Sequence, residues 1–362
     1  MKPLRFVVVG NGFRARLYVR IAEKFPQLFQ LQYILCRSEE KAREIAEKEQ
    51  LPATASEKLC EEAGPDFVIV AVSFENVYEV TKKWAGKGFA VLCETPAATC
   101  TEALRDLWAM WEKGARIQVA EQYYRYPIMA SGIRRLREGL IGEPYYVTLS
   151  LAHDYHGASL IRHMLYALQE KEGCHPCEEV KMWGEVRSFP VRETDSRYGH
   201  ITDGSIVQRE RTTVTMEFSS GKMAFYDFSP VQYRTLIRSR HLNVRAQDGE
   251  WNDTVIRYVT EDFHAAEEKL CPYLDMKYQE IFTDEMKELA SFYRAPLIMD
   301  SSQDEFAVAS MLYDMREYLR SGKEIYPFSE ALQDAYMYTL IREAASHPGK
   351  VVRSEKMPWQ RA

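Results

Sequence analysis

Two hydrophobic periods succeed one another along the chain. In the first third, short apolar runs at 4–9, 30–35, 66–72, 89–93 and 116–120 alternate with stretches in which apolar residues recur every three or four positions. Continuous β-rich runs of this length suit strands buried on both faces of a parallel sheet, and the intervening spacing predicts helices. One helix runs from the glycines at 10 and 12 to Ala22, and a second covers 38–50. A third is opened by Thr99 and Glu102, which spell a capping box, and carries Leu104, Leu107, Trp108 and Trp111 on one face. Strand and helix in alternation predict a doubly wound α/β sheet, whose ligand lies beyond the carboxyl ends of the strands.

From about Glu179 the period changes to two. Thr212, Val214, Met216 and Phe218 run into Ser219-Ser220-Gly221, with Met223 and Phe225 on the far side. A second hairpin is expected from 242–246 and 251–258 around Gln247-Asp248-Gly249-Glu250. This half reads as a mostly antiparallel open sheet, followed by helices. Thr283 is expected to cap one containing Met286, Leu289, Phe292 and Tyr293, and two more are expected at 304–320 and 333–345. The boundary falls near residue 123, giving an α/β domain over 1–123 and an α+β domain over 124–362 whose C-terminal helices are free to pack back on the first.

Composition narrows the function classes. A chain of 362 residues is long enough for two cores, and no apolar run approaches the roughly 20 residues that span a bilayer. The start, Met1-Lys2-Pro3-Leu4-Arg5, leads straight into a strand too short for a signal peptide, so a cytoplasmic location is expected. A formal net charge of -6 argues against nucleic acid and favours a small-molecule partner, because phosphate backbones are bound by clustered cations. The seven cysteines do not read as a disulfide framework. Cys174 and Cys177 flank His175 and Pro176 as a lone C-x-x-C, which holds zinc only if other ligands converge on it, and no metal is expected.

The chemistry begins at Gly10-Asn11-Gly12-Phe13-Arg14-Ala15, placed between a strand and a helix. Glycines there let the backbone turn tightly and approach a pyrophosphate, a small Ala15 lets helix and strand pack closely, and the helix N-terminus offers N–H groups to the phosphates. The first domain is therefore expected to be a Rossmann-type dinucleotide-binding domain. The second strand ends in Cys36-Arg37-Ser38, near the position that reads the adenosine ribose. An acid there would repel a 2'-phosphate, whereas a guanidinium and a hydroxyl can hold one, so NADP is preferred over NAD. Ser73, Glu94 and Gln122 stand near the carboxyl ends of later strands and complete the expected cofactor set with Thr95.

At this point the chain resembles the Gfo/Idh/MocA oxidoreductases, the family of glucose-fructose oxidoreductase and inositol dehydrogenase. The resemblance is carried by the G-x-G-x-x-A turn, by Cys93-Glu94-Thr95-Pro96 where the family has Glu-Lys-Pro, and by Gln122-Tyr123-Tyr124-Arg125-Tyr126-Pro127. Gly139-Leu140-Ile141-Gly142-Glu143-Pro144-Tyr145 and Tyr326-Pro327-Phe328-Ser329-Glu330-Ala331 extend it over most of the chain. It implies hydride transfer between a nicotinamide and a sugar, sugar derivative or cyclitol. It also implies a homo-oligomer, since the family often builds a dimer interface on the sheet of its second domain. The departures are chemical. Thr95 stands where the family's lysine helps move the alcohol proton, and Ile161 and Leu165 stand where it tends to place an Asp and a His. A threonine hydroxyl is no general base near neutral pH without an activator.

Replacements are concentrated in His153-Asp154-Tyr155-His156-Gly157-Ala158-Ser159-Leu160-Ile161-Arg162-His163. Gly157 is expected to start a helix with Ser159, Arg162, His163 and Tyr166 on one face and Leu160, Met164 and Leu165 on the other. His156, His163 and Tyr155 are the candidate proton-handling groups alongside Thr95. Tyr124, Arg125, His153 and Arg162, with Tyr123 and Tyr155, could line a sugar-like substrate. Loss of the family's proton-handling residues keeps a second class open: a cofactor-bound protein without net redox turnover, either a lyase or glycosidase cycling its nicotinamide or a sensor of sugar or nucleotide.

Overall fold

The computed structural model describes residues 2–196, 199–235, 237–281 and 301–360. Among these the chain divides into two compact units. One takes in the chain up to Gln122 together with Glu305–Ala335; the other runs from Tyr123 to Asp304 and from Tyr336 to Gln360.

The first unit is built on six parallel strands, β1 (Leu4–Val9), β2 (Phe29–Leu35), β3 (Ala53–Thr54), β4 (Phe67–Val70), β5 (Val91–Cys93) and β6 (Ile117–Val119). Their order is β3-β2-β1-β4-β5-β6, so the direction of winding reverses between β1 and β4, where an open α/β sheet leaves its ligand crevice. β4, β5 and β6 are buried at every position, and β4 and β5 accordingly read as unbroken apolar runs. The connecting helices are α1 (Phe13–Lys24), α2 (Glu39–Glu49), α3 (Glu57–Glu62), α4 (Val77–Gly86) and α5 (Thr101–Glu112). The expected capping box at α5 does not form. Cys100 is the N-cap, in extended conformation and without a side-chain cap bond, so Glu102 sits one position too early to reach back to it. Glu305–Ala335 packs with this unit: Gln118 of β6 donates to Glu324 at 3.1 Å and accepts from the Ile325 amide at 2.7 Å, and Phe328 stacks on Trp111. The helices at 304–320 and 333–345 are observed as Ser301–Ser321 and Phe328–Ser346. The helix expected after Thr283 lies outside the described residues. No helix among the described residues is long and apolar enough to cross a membrane.

The second unit holds a nine-stranded sheet, ordered β16-β15-β14-β13-β7-β12-β11-β8-β17. Its strands are β7 (Pro144–Ser150), β8 (Val180–Arg192), β11 (Ile206–Phe218), β12 (Met223–Phe228), β13 (His241–Ala246), β14 (Gly249–Asn252), β15 (Val255–Val259), β16 (Ala265–Lys269) and β17 (Val352–Arg353), while β9 (Asp195–Ser196) and β10 (Gly199–His200) form a separate ladder. Every pairing is antiparallel except β12 with β7. The single strand expected over 251–258 is two, because Asp253 adopts φ 53° and turns the chain between β14 and β15.

The helices of this unit that concern the site are α6 (Pro127–Arg137) and α7 (Asp154–Leu165). Gly157 is the fourth residue of α7 rather than its start, and its role is packing: a Cβ there would lie 2.6 Å from Cε2 of Tyr226 in β12. Neither face of the helix is solvated, since every residue from Tyr155 to Leu165 is buried. Both ends of α7 are tied to the sheet. The Tyr226 hydroxyl donates to Asp154 at 2.9 Å, and the Lys222 ammonium donates to the Leu165 carbonyl at 2.7 Å and the Pro144 carbonyl at 2.9 Å while pairing with Glu143. A cation on the last carbonyls of a helix satisfies acceptors that have no intrahelical donor.

Gly132 of α6 meets the fully buried Trp251 face to face, and a Cβ would stand 2.6 Å from Cε2 and closer to the rest of the ring. The ring cannot retreat freely, because its N–H donates to the Asp253 carbonyl at 2.8 Å. Overpacking costs about 1–3 kcal/mol and exceeds the ~1 kcal/mol that alanine gains over glycine in a helix. Gly132→Ala is therefore expected to lower the urea midpoint of the full chain, and an unchanged or raised midpoint would contradict this packing.

Candidate functional site

In the first unit the candidate cofactor residues gather at the reversal point of the sheet. Gly10 and Gly12 are glycine for different reasons. Gly10 has φ +115° and sits against β4's exit, where a Cβ would stand 2.9 Å from the Ala71 carbonyl carbon and closer still to its oxygen. Gly12 is the exposed N-cap of α1, and a Cβ there would meet nothing within 4 Å. It supplies no capping side chain, and the first turn of α1 carries no acid. No side chain caps the leading end of α1, so its partial positive charge suits an anionic ligand. Asn11 is half-buried, Phe13 is exposed beside it, and Ala15 is packed inside.

Arg14 and Glu94 are joined. The Arg14 guanidinium donates to Glu94 at 2.8 Å, and the Tyr18 hydroxyl donates to the same carboxylate oxygen at 2.6 Å. Glu94 is buried, and this pairing fixes the end of β5 against α1. Thr95 follows, half-buried, in a cis peptide with Pro96. Arg37 is exposed at the end of β2, while the Ser38 hydroxyl accepts from the Lys41 amide at 3.2 Å as the N-cap of α2. That bond leaves the hydroxyl proton free for another acceptor. Cys36 turns into the core, where burial pushes its thiol up, so only its backbone faces the crevice end of the strand. Ser73 is exposed and accepts from Asn76 at 2.8 Å, and Gln122 is buried after β6. The residues present fit a dinucleotide: an open glycine cradle, an uncapped helix end and a solvent-facing guanidinium.

In the second unit α7 distributes the remaining candidates into two aromatic clusters. In the first, the buried His156 ring stacks on Tyr123 with centroids 4.1 Å apart, and the rings of His153 and Tyr155 meet it edge-on at 4.7 and 5.5 Å. The Tyr233 hydroxyl accepts from the His153 amide at 2.9 Å, lies within hydrogen-bond reach of His153 Nδ1, and is 3.4 Å from the Tyr123 hydroxyl. Burial pushes the Tyr123 and Tyr233 phenols up, so both remain protonated and linked in a chain that ends at exposed His153. Tyr155 is fully buried, which confines it to shaping the site around His156.

In the second cluster His163 stacks on Tyr124 at 4.5 Å and stands perpendicular to His175 at 4.4 Å. Burial, then the neighbouring His175, Arg137 and Arg162, hold His163 well below the usual imidazole range, so it is neutral. Arg162 is buried with its guanidinium 4.0 Å from the Cys177 sulfur, which withdraws it from a substrate surface. Arg125 remains partly accessible and donates to the hydroxyls of Tyr124 at 3.0 Å and Tyr278 at 3.3 Å. Ile161 and Leu165 are wholly buried. Sequence reasoning did not single out Tyr233, Glu170 or the role of His175. Tyr233 carries no motif, and Glu170 and His175 become neighbours only through a tight turn between them.

Residues 4–121 match the GFO_IDH_MocA model, described as an oxidoreductase family with an NAD-binding Rossmann fold. No curated protein matches the sequence. Among solved structures, an NAD-binding oxidoreductase from Klebsiella pneumoniae is similar at TM-score 0.69 and 14% identity, covering 99% of this chain and 100% of that one. An oxidoreductase from Agrobacterium radiobacter, in complex with NAD+, L-tartaric acid and magnesium, has TM-score 0.68 and 13% identity over 96% and 98% of the two chains. A UDP-N-acetylglucosamine 3-dehydrogenase from Acidithiobacillus ferrooxidans has TM-score 0.60 and 16% identity over 95% and 98%. At these identities the likeness establishes the fold, and it extends over both units.

Gly10→Ala forces a side chain into a left-handed backbone and against the Ala71 carbonyl. It is expected to cost about 1–3 kcal/mol or more, read as a lowered midpoint in chemical denaturation. Full stability in this variant would show that the turn does not make the close approach described.

Proposed function

Residues 4–121 match a family model described as an oxidoreductase family with an NAD-binding Rossmann fold, and on that premise we propose that the protein transfers hydride between NADP and a carbinol or carbonyl carbon of a sugar, sugar derivative or cyclitol. The observation that carries this reading is the open face of Gly12 at the uncapped, acid-free start of α1, at the point where the strand order reverses. When bound there, the nicotinamide cofactor supplies a hydride acceptor or donor.

The chain's own residues divide the remaining work. The amides after Gly12 hold the pyrophosphate. Exposed Arg37 and the free hydroxyl proton of Ser38 hold the 2'-phosphate, in the absence of an acid at the end of β2. The Arg14–Glu94 pair, reinforced by Tyr18, keeps the segment leading to Thr95 in place. His156 takes the part that lysine plays elsewhere in the family, exchanging the substrate's hydroxyl proton. Beside the His156 ring, the hydroxyls of Tyr123 and Tyr233 and the His153 imidazole form a hydrogen-bonded chain that ends at exposed His153 and holds the wall of the site. Tyr124 and Arg125 offer a flat ring and a guanidinium to a polyol, a pairing suited to sugar-like ligands. The sugar class is supported by the family resemblance and by one structural relative that is a nucleotide-sugar dehydrogenase.

Gly12→Ala is expected to fold with an unchanged melting temperature, because the added carbon meets no protein atom, and to bind NADPH at least about tenfold more weakly. Arg37→Glu is expected to reverse the preference from NADP to NAD, with loss of a charge-assisted bond worth about 1.5–3 kcal/mol, or roughly 10- to 150-fold in affinity. Both are read by quenching of protein fluorescence or nicotinamide emission. His156→Ala should lower kcat by about 10²–10⁴ at unchanged NADPH affinity. The reading fails if a panel of polyols and keto-sugars turns over while the cofactor's absorbance at the reduced-nicotinamide band never changes.

A further inference from the structure

We propose that His163, Glu170 and His175 form a site for a divalent cation in the second unit, with a donor set suited to zinc. This is independent of the hydride chemistry above, which uses His156 and leaves His163 without a catalytic task.

Local structure brings the three side chains together. Glu170 and His175 flank a two-residue turn, Glu172 and Gly173, with φ of 52° and 82°. Left-handed backbone at both central positions is the geometry of a type I' hairpin, and glycine adopts it without strain. The turn is closed by reciprocal bonds between the amides and carbonyls of Lys171 and Cys174, both 2.9 Å. The residues just outside such a bridge face one another across the hairpin. His163 comes from the last turn of α7, and its ring stands perpendicular to that of His175 at 4.4 Å.

The spacing is that of ligands rather than of chance neighbours. One donor atom from each of the three residues lies within 4.8 Å of the others. The His175 Nε2 to Glu170 Oε2 distance is 3.3 Å. Two ligand atoms at about 2.0–2.1 Å from a tetrahedral zinc stand about 3.3–3.4 Å apart, so this pair already has the required separation. The third donor, within 4.8 Å of the others, needs to close by up to about 1.4 Å, within reach of a side-chain rotation. Two imidazoles and a carboxylate are also a donor set that zinc accepts with water in the fourth position.

The surroundings support the same assignment. Both imidazoles are buried, His163 2% and His175 5% exposed, so they are not solvated surface histidines that happen to meet. Arg137 donates to Glu170 Oε2 through Nε at 2.9 Å and also through Nη2, which sets the orientation of the carboxylate and leaves Oε1 without that guanidinium. Glu170 is the partly exposed member, with 16% of its side chain accessible, and gives an ion a way in. The cation is borderline rather than hard: magnesium and calcium prefer all-oxygen shells, whereas imidazole nitrogen favours zinc, cobalt or nickel.

The test uses the full chain, stripped with a chelator and titrated with Co2+ and then Zn2+. One equivalent of Co2+ is expected to give the intense visible absorption of a four- or five-coordinate site, abolished by one equivalent of Zn2+, and Zn2+ is expected to raise the melting temperature. Glu170→Gln, at a partly exposed position, should fold and weaken binding at least tenfold; His175→Gln should abolish the absorption. Circular dichroism melts confirm that each variant is folded, and if His175→Gln does not fold, Glu170→Gln decides alone. The proposal is overturned if the wild type shows no saturable Co2+ or Zn2+ binding, or if folded Glu170→Gln keeps wild-type affinity and spectrum. Neither result touches dinucleotide binding, which is measured separately on the same samples.

Discussion

The burial of α7 is the constraint on which the second unit depends. Eleven consecutive residues, Tyr155 to Leu165, are inside, and four of them, His156, Ser159, Arg162 and His163, carry polar side chains. Polar groups taken out of water without partners cost several kcal/mol in sum. The sheet answers at both helix ends, with Tyr226 on Asp154 and Lys222 on the terminal carbonyl, and glycine at 157 lets the helix lie close enough for those bonds to form. The imidazoles are answered by rings: Tyr123 beneath His156 and Tyr124 beneath His163. What could serve as chemistry is thus first a solution to a packing problem.

The first unit solves a different problem, that of keeping a surface open. Its glycines divide the labour, since Gly10 is required by the neighbouring strand whereas a Cβ on Gly12 would meet no atom of the described residues within 4 Å. A residue that structure alone would permit to be larger, at the unguarded end of a helix, is where a ligand's demand is felt. The Arg14–Glu94–Tyr18 contact belongs to the closed part of the same region. It takes up a cation that could otherwise reach into the crevice and leaves Arg37 as the exposed guanidinium at the end of β2.

The parallel sheet was legible in the sequence because strands buried on both faces carry few polar positions to blur them, as β4 and β5 show. Hairpins were legible where glycine marks the turn, as at Gly221, and misread at Asp253, where a residue that tolerates left-handed backbone broke one alternating run into two strands. The capping box at α5 failed by one residue, a margin that the text of the sequence does not fix. α7 was found but its environment was not. Periodicity separates polar from apolar residues, and a helix that buries both gives the same spacing as one with a wet face. Tyr233, Glu170 and His175 were invisible for a further reason: each acquires its role from a partner placed by tertiary structure or by an intervening turn.

The two histidines that matter most are seven residues apart, and seven residues make almost two full turns, so His156 and His163 share one face of α7 about 10 Å apart along its axis. The rings that cover them come from adjacent residues of the turn Tyr123–Arg125. Adjacent tyrosines can reach sites that far apart only by splaying in opposite directions along the helix, so the turn is held at two points and its orientation is fixed. A cation gripping His163 would stiffen the Tyr124 end of this clamp, and through the backbone of the turn it would steady Tyr123 over His156 without touching it. The proposed cation site and the proposed proton-handling histidine would then be chemically separate and mechanically joined through one buried helix.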